Sequence, residues 1–235
     1  MFAFIVKGFA VTASFRVPES HTFQQTLPLP PPTTLTGLMG AAIGLDFEDA
    51  MSFRQQKSIF FGVIGSHKGE MKDLWKYNKI KSEESLKDVL IREYLTDFSL
   101  TVAIASKDQT DITEVRNCFC NPKYALTLGN SDDLFKIKHI GAVVDSEEEQ
   151  DSTFENTMLA GDQALDYKPN FDLKNTPITY RVMAPQVFLL PTAFNFKGGE
   201  RRVRERKLFT FVGSPIKVKN PLPVYKVENT AFFLL

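Results

Sequence analysis

The chain has 235 residues, of which 43% are apolar and 24% charged, and its formal net charge at pH 7 is zero. This is the composition of a globular protein long enough to form one large domain or two small ones. Zero net charge excludes nucleic-acid binding by bulk charge, so any such binding must use local basic patches.

The cysteines and the N-terminal segment bear on compartment and cofactors. Cys118 and Cys120 lack a second cysteine pair or a nearby histidine to complete a zinc site, so we expect reduced thiols in a cytoplasmic protein without a metal or another cofactor. Phe2–Val6 is apolar, but no basic region precedes it and Lys7 interrupts it, which favours a strand over a signal peptide. No stretch of about 18 uninterrupted apolar residues is present, so we expect no membrane partner.

The first predicted element is a strand over residues 2–17. The larger apolar side chains change phase at Gly8, which predicts a β-bulge. Arg16 follows Phe15 on the opposite face of this strand, just before a proline-rich loop. Its guanidinium fits two interpretations: a solvated charge at a strand end, or a clamp that pairs bidentately with phosphate.

The segment Pro28–Leu45, P-L-P-P-P-T-T-L-T-G-L-M-G-A-A-I-G-L, predicts a helix. Its prolines fix φ and make the approach rigid, and Thr33 or Thr34 can serve as the N-cap. The apolar residues follow helical spacing; they are Leu35, Leu38, Met39, Ala42 and Ile43. A second stripe with the same spacing carries almost no side chain; it consists of Gly37, Gly40, Ala41 and Gly44.

This side-chain-poor stripe indicates that something approaches the helix closely, because glycine in a helix costs about 1 kcal/mol relative to alanine. One interpretation is tight packing of the helix backbone on other elements. The other is close approach of a ligand. The positive end of the helix dipole and the hydroxyls of Thr33, Thr34 and Thr36 would favour phosphate there.

Two elements are predicted next. Asp46–Phe53 continues or restarts the helix, and Ser58–Gly65 forms a buried second strand. The composition then changes, and residues 66–97 are predicted to be an insertion. Within it, Glu83–Tyr94 shows the spacing of a helix.

Basic and aromatic residues interleave in this insertion. Lys76 and Lys79 lie beside Trp75 and Tyr77, a combination that can follow a nucleic-acid backbone and stack on bases. The alternative is a charged surface excursion with a partly buried Trp75.

Three further elements complete the N-terminal part. They are a strand at Phe98–Ala105, a helix at Asp111–Phe119 with Asp111 as N-cap, and a short strand at Tyr124–Leu128. The order strand, helix, strand, inserted arm, strand, helix, strand is that of a ferredoxin-like (RRM-like) domain, here over residues 1–140. The predicted fold class is therefore α+β.

Residues 141–235 are predicted to form a small, mainly β region that follows an acidic linker at Asp145–Asp151. Its predicted strands are Ile178–Met183, Gln186–Leu190, Lys207–Val212 and Val224–Val227.

A basic cluster lies between two of these strands, in F-N-F-K-G-G-E-R-R-V-R-E-R-K at Phe194–Lys207. Gly198–Gly199 permits a tight turn, and on an extended arm Arg202, Arg204 and Arg206 would project to one side. A solvated hairpin with local ion pairs is one interpretation. A row of arginines that faces phosphates is the other.

Three segments together resemble the Cas-five family of CRISPR-associated proteins, which belongs to the RAMP superfamily. They are S-F-R-V-P at Ser14–Pro18, L-P-L-P-P-P-T-T-L-T-G-L-M-G-A-A-I-G-L at Leu27–Leu45 and N-P-K-Y-A-L-T-L-G-N-S-D-D at Asn121–Asp133. The proline–threonine–glycine helix is the most specific of the three, and the detailed pattern suggests the type I-B version.

The resemblance implies a ferredoxin-like core with an inserted β-hairpin thumb, which would be residues 66–97. It also implies a place in the RNA-guided surveillance complex Cascade, where such a subunit caps the 5′ repeat-derived handle of the guide RNA (crRNA). There it touches the first backbone subunit and the large subunit that reads the flanking motif of the target DNA.

The leading hypothesis is therefore a non-catalytic RNA-binding subunit. The candidate RNA-binding residues are Ser14, Arg16, Thr33, Thr34, Thr36, Gly37, Lys76, Lys79, Lys197, Arg201, Arg202, Arg204 and Arg206.

The alternative hypothesis is a metal-independent endoribonuclease that cuts CRISPR repeat RNA, as a type I-C relative does. Such chemistry needs a base for the 2′-hydroxyl and an acid for the leaving oxygen. Lys138–His139 and His67–Lys68 are adjacent pairs of lysine and histidine, and Lys138 and His139 are the candidate catalytic residues. A nucleotide-binding or small-molecule enzyme has little support, because the glycines of the helix do not follow the dinucleotide-binding spacing.

Overall fold

The computed structural model describes residues 1–21, 23–81, 84–172 and 182–235. The fold is α+β and mostly strand. Its helices are α1 (Pro32–Ile43), α2 (Phe47–Gln56) and α3 (Gln109–Cys120). Its strands are β1 (Phe2–Ala13), β2 (Phe15–Arg16), β3 (Phe23–Gln24), β4 (Thr26–Leu27), β5 (Phe60–Ser66), β6 (Gly69–Lys81), β7 (Glu84–Ser106), β8 (Lys136–Ile140), β9 (Val144–Asp145), β10 (Glu148–Phe154), β11 (Thr157–Ala160), β12 (Tyr167–Pro169), β13 (Gln186–Lys197), β14 (Glu200–Val212), β15 (Ile216–Val227) and β16 (Thr230–Phe232).

A large sheet runs through both halves of the chain, in the order β13-β14-β11-β5-β7-β1-β8. Each neighbouring pair along this path is antiparallel. Strands β3 and β6 also pair with β7, and β9 pairs with β1. A second sheet in the order β10-β15-β12, with β16 beside β15, comes from the C-terminal half.

The large sheet is covered differently on its two faces. Helices α1 and α3 pack on one face, where Phe4 and Ile104 belong to the same buried cluster as Met39 and Ile112. On the opposite face, a smaller cluster joins strand residues such as Ile5 to Val227 and Phe232 of the C-terminal strands. Burial on both faces explains why the first part of β1, Phe2–Val6, is a continuous apolar run.

The predicted β-bulge near Gly8 is confirmed, because the register of β1 against β8 shifts between Lys7 and Gly8. The prediction of one unbroken strand over residues 2–17 is wrong in one respect: the chain leaves β1 at Ala13 and resumes as β2, which pairs with β4. Phe15 is buried and Arg16 is exposed, on opposite faces as predicted.

The predicted helix is confirmed as α1, and its apolar stripe is buried except for Ile43, which is half-buried. The N-cap is Pro31 and not Thr33 or Thr34, because Pro32 at the first helical position fixes the start of the helix before either threonine. The Asp46 side chain accepts a hydrogen bond from the N–H of Asp49 and caps α2, so the helix restarts there.

The helix predicted at Glu83–Tyr94 is wrong in the part that the structure describes, where β7 pairs with β6 as a long antiparallel hairpin. Leu90 and Tyr94 are buried while Val89 is exposed. Residues four apart share a face in a strand as well as in a helix, so this spacing alone did not discriminate between the two.

Two predictions between α3 and β8 also need correction. The N-cap of α3 is Asp108, whose side chain accepts from the N–H groups of Thr110 and Asp111, so Asp111 lies inside the helix. Tyr124–Leu128 is irregular chain with a single bridge between Thr127 and Leu134. The strand that follows α3 is β8 instead.

The acidic segment Asp145–Asp151 is not a free linker, because β9 and β10 take up most of it. The predicted strands at Gln186–Leu190, Lys207–Val212 and Val224–Val227 are confirmed within β13, β14 and β15. Of the strand predicted at Ile178–Met183, residues 178–181 lie outside the described residues.

Candidate nucleic-acid interface

A cleft of about 790 Å³ lies where the start of α1, the loop before β8 and the β13–β14 hairpin meet. Of the described residues that line it, none is acidic. Seven residues predicted from the sequence are among them: Ser14, Arg16, Thr33, Thr34, Gly37, Arg201 and Arg206.

The start of α1 offers hydrogen-bond donors to this cleft. Pro31 and Pro32 have no N–H, and the N–H groups of Thr34 and Leu35 both bond to the carbonyl oxygen of Pro31. The N–H of Thr33 is left at the positive end of the helix dipole, next to two threonine hydroxyls that line the cleft. Such an end binds anions readily.

The side-chain-poor stripe of α1 has two separate explanations. A Cβ added at Gly40 would lie 2.7 Å from Cβ of Ala50, so this glycine lets α2 pack closely on α1. A Cβ added at Gly37 would meet only the Phe47 ring, at 4.0 Å, and Gly37 lines the cleft. Close helix packing therefore explains Gly40, while Gly37 keeps the cleft wall open.

Two arginines of the cleft are held by the loop after β2. Arg16 donates from Nε and Nη2 to the carbonyl oxygen of Ser20, at 3.2 and 3.0 Å. Arg206 donates from Nη1 to Oε1 of Glu19 at 2.6 Å. Both partners belong to one exposed loop, and the two guanidiniums are held at the edge of the cleft without being buried.

A third arginine of the cleft, Arg201, makes cation–π contacts with two phenylalanine rings. The guanidinium carbon of Arg201 lies 4.9 Å from the ring centroid of Phe47 and 5.0 Å from that of Phe194. The two rings are themselves in edge contact at 5.7 Å. Both phenylalanines line the cleft and were not among the predicted site residues. Phe47 lies on α2 and Phe194 on β13, and no local sequence pattern indicates that the two rings meet.

The loop before β8 supplies the remaining wall, through Thr127, Gly129 and Asn130. Gly129 has φ of +111°, and an added Cβ would overlap the carbonyl oxygen of Ser14. The N–H of Ser14 donates to the carbonyl oxygen of Leu128 at 3.1 Å. These loop residues were also missed as site residues, although they lie in the N-P-K-Y-A-L-T-L-G-N-S-D-D segment that contributes to the family resemblance.

The remaining candidates lie outside the cleft. Thr36 is buried, and its hydroxyl donates to the carbonyl oxygen of Pro32 within the helix. Lys197 lies next to the turn of the β13–β14 hairpin, and Lys76 is exposed on β6. Lys79 belongs to β6, but the structure does not describe its side chain.

The expectation that Arg202, Arg204 and Arg206 project to one side is wrong. The β13–β14 register shifts twice between Pro191 and Phe194, and Arg204 has no partner across the pair. The alternation of faces therefore switches along β14. Arg206 lines the cleft together with Arg201, Arg204 lines a different groove formed with α2, and Arg202 bonds Glu200 at 2.9 Å.

The candidate catalytic pair lies on β8, away from this cleft. Nε2 of His139 is 2.9 Å from Oε1 of Glu228, and Lys7 reaches the same carboxylate at 3.4 Å. The His139 hydrogen bond is the main reason that the pKa of Glu228 lies below its usual value. Lys138 lines a shallow depression on the outer face of the sheet.

Within the described part of the chain, no group of three or more histidine, cysteine, aspartate or glutamate side chains is placed to hold a metal ion. None of the helices described is both long and apolar enough to cross a bilayer.

Residues 5–204 match the family described as CRISPR-associated protein (Cas_Cas5). The chain has no match among the curated proteins. Among solved structures, it resembles a chain of a CRISPR RNA-guided surveillance complex, at 15% identity and a TM-score of 0.53, covering 94% of this chain and 91% of the other.

Two further solved structures are similar to this chain. One is a CRISPR protein from Archaeoglobus fulgidus, with 8% identity, a TM-score of 0.51 and coverage of 99% and 98%. The other is described only as a Cas protein, at 19% identity and a TM-score of 0.38; the match covers 56% of this chain and 59% of that protein. At these identities, the first two likenesses concern the fold.

Proposed function

Because the chain belongs to the Cas5 family of CRISPR-associated proteins, we propose that it is a non-catalytic subunit of a type I surveillance complex (Cascade) that binds crRNA. In this proposal, the cleft at the start of α1 holds the 5′ handle of the guide. The subunit contacts the backbone and large subunits, and through the latter it lies near the target DNA beside the flanking motif. The complex works in the cytoplasm, and the type I-B version is the subtype proposed.

One observation carries this proposal: the cleft combines the three features that a bent single strand of RNA requires. The N–H groups and hydroxyls at the start of α1 can donate hydrogen bonds to a phosphate, and three arginines line the cleft. Aromatic rings beside Arg201 give a surface on which a base can stack. Together they account for RNA binding by a chain whose net charge is zero.

The architectural part of the proposal is a ferredoxin-like domain at residues 1–140 and a small β region at 141–235. It is supported by the order of β5, β7, β1 and β8, with α1 after β1 and α3 after β7. In this view the β6–β7 hairpin is the thumb. The two regions share one sheet, because β11, β13 and β14 extend it beyond β5.

The binding experiment compares two arginines of one strand that line different grooves. Arg206→Ala should weaken binding of a labelled repeat-handle RNA and lower the salt slope of log K by about 0.7 for each phosphate that is no longer neutralised. Arg204→Ala, the matched control, should leave both unchanged. Equal effects of the two substitutions on RNA affinity, or no effect of either, would contradict the proposal that the cleft binds RNA.

The non-catalytic part of the proposal has its own experiment. The purified chain is incubated with repeat RNA in EDTA, and the products are resolved by length. We expect intact RNA. Cleavage at one position that is lost in His139→Ala would instead assign the alternative function, a metal-independent endoribonuclease.

A further inference from the structure

The outer face of the large sheet is only half covered. Near one end of the strands, Phe232 packs so closely that a Cβ added at Gly62 would lie 2.6 Å from its Cβ. This cover reaches Ala3 and Ile5 of β1 and ends there. Because side chains alternate along a strand, Lys7, Phe9 and Val11 continue the same face beyond the covered part.

The open part of this face is an ordered array of side chains from four strands. Phe9 is paired with Ser99 on one side and with Lys136 on the other, and Ser99 is in turn paired with Ser66. In the next row, Lys7 is paired with Thr101. Directly paired residues point to the same side of a sheet, so these groups form one surface.

The chemistry of this surface is cationic and hydroxylated around one aromatic ring. A depression of about 330 Å³ is lined by Lys7, Phe9, Ser66, Ser99, Thr101, Lys138 and Asn156, among others, and none of the described residues that line it is acidic. Lys7 has a carboxylate partner at the rim, Glu228. No described ion pair engages Lys136 or Lys138.

An apolar residue also remains uncovered here. Val11 is 70% exposed although it lies on a central strand. Phe9 is half-buried and lines the depression on the open side of the sheet. A central strand that leaves an aromatic side chain partly exposed and an aliphatic one exposed, near lysines, indicates a surface that a ligand covers.

We propose that this open sheet face is a second nucleic-acid site, separate from the cleft, that takes a single strand of RNA or DNA. A base stacks on Phe9, and Lys136 and Lys138 neutralise phosphates. The hydroxyls of Ser66, Ser99 and Thr101 form hydrogen bonds with the sugars or with the edges of the bases. Sheet faces with exposed aromatic residues recognise single strands in this way. The site lies on the face opposite to α1, so the strand that fills it is not the segment held in the cleft.

The test uses the full chain with Arg201→Ala and Arg206→Ala, so that the cleft no longer contributes, and labelled oligoribonucleotides and oligodeoxyribonucleotides of mixed sequence. In this background, Phe9→Leu keeps an apolar side chain and removes the ring, and should weaken binding at least about fivefold. Phe9→Tyr should bind within about twofold of the background. Lys138→Ala should lower the salt slope by about 0.7, while the exposed control Lys107→Ala should not change it.

The two nucleic acids distinguish the source of the strand: a preference for RNA points to a guide or transcript, and a preference for DNA points to an unwound target. Unchanged affinity and salt slope in both Phe9→Leu and Lys138→Ala, with an unchanged thermal midpoint, would overturn the proposal. So would loss of a protein partner in Phe9→Leu without any change in oligonucleotide affinity. Neither result would touch the proposal for the cleft, which Arg206→Ala tests separately.

Discussion

Glu19 and Arg206 form an ion pair at the edge of the cleft, with 2.6 Å between Oε1 and Nη1, although 187 residues separate them in the chain. The carboxylate engages the guanidinium that the proposed function assigns to a phosphate of the RNA. In that proposal, a bound phosphate takes the place of Glu19 at Arg206.

Glu19→Gln should raise the affinity for a handle RNA, by about two- to fivefold, because an exposed ion pair of this kind contributes little energy and its loss frees Arg206. Fluorescence anisotropy at low salt measures the effect. Glu205→Gln is the control with the same change of charge, since Glu205 lines the other groove and pairs with Lys207. An equal gain in both variants would reflect net charge alone and contradict a specific role for Glu19.

Alanine at two glycines of α1 should have opposite effects on stability. Gly37→Ala should raise the free energy of unfolding by up to about 1 kcal/mol, because the position is helical and open. Gly40→Ala should lower it by about 1–3 kcal/mol, because the new Cβ presses on Ala50 and on the carbonyl oxygen of Leu45. Thermal and urea unfolding report both values. Destabilisation by both substitutions would mean that Gly37 is also a packing glycine.

A larger side chain at Gly37 tests the cleft itself. Gly37→Val should weaken RNA binding, because the branched side chain would project into the cleft that is proposed to hold the RNA backbone. The overall fold should survive, since the nearest atom to an added Cβ is 4.0 Å away. Full RNA affinity in a folded Gly37→Val protein would show that no ligand approaches this face of α1.

Gly129→Ala should destabilise the protein for two independent reasons. The residue has φ of +111°, and an added Cβ overlaps the carbonyl oxygen of Ser14. Since Ser14 and Gly129 both line the cleft, RNA affinity should fall together with the thermal midpoint. A matched control is Gly161→Ala, where φ is +78° and the nearest atom to the added Cβ is 3.7 Å away. A loss at Gly129 no larger than the loss at Gly161 would contradict the close approach.

The Glu228 carboxylate predicts a pH dependence of stability. Its pKa in the folded protein is lowered, chiefly by the hydrogen bond to His139 and then by Lys7. A lowered carboxyl pKa contributes stability above the unfolded value of 4.5, and this contribution is lost as pH falls through the folded pKa. Glu228→Gln should therefore lower the thermal midpoint at neutral pH. The difference in thermal midpoint between this variant and the protein with Glu228 should become smaller as the solution is acidified. A difference that stays constant down to acid pH would rule out this carboxylate as its source.

Local patterns predicted the elements that are built locally. The proline-led start, the helical spacing of the apolar residues and the glycines of α1 all lie within one segment. The same segment predicted Thr33, Thr34 and Gly37 as candidates, and these three residues line the cleft. The acidic segment Asp145–Asp151 was misinterpreted as a linker, because exposed charges are also compatible with a strand. The β7 segment was misinterpreted as a helix, because i, i+4 spacing also places side chains on one face of a strand.

The rest of the site depends on which distant segments meet. Phe47 and Phe194 come from α2 and β13, and no local pattern indicates that they enclose Arg201. The bulges at Thr192 and Arg204 arise from the pairing of two strands, so the switch that separates Arg204 from Arg206 could not be obtained from alternation along one of them.

Site-specific cross-linking can map where the 5′ handle of the guide RNA lies on the protein. Guide RNA with thiouridine at successive handle positions is bound to the full chain and irradiated, and the cross-linked peptides are identified by mass spectrometry. We expect cross-links to the start of α1 around Thr33–Gly37 and to β14 around Arg201–Arg206. Cross-links from every handle position that fall only on other parts of the chain, such as β6 or the acidic strand β10, would contradict the proposal that the cleft holds the handle.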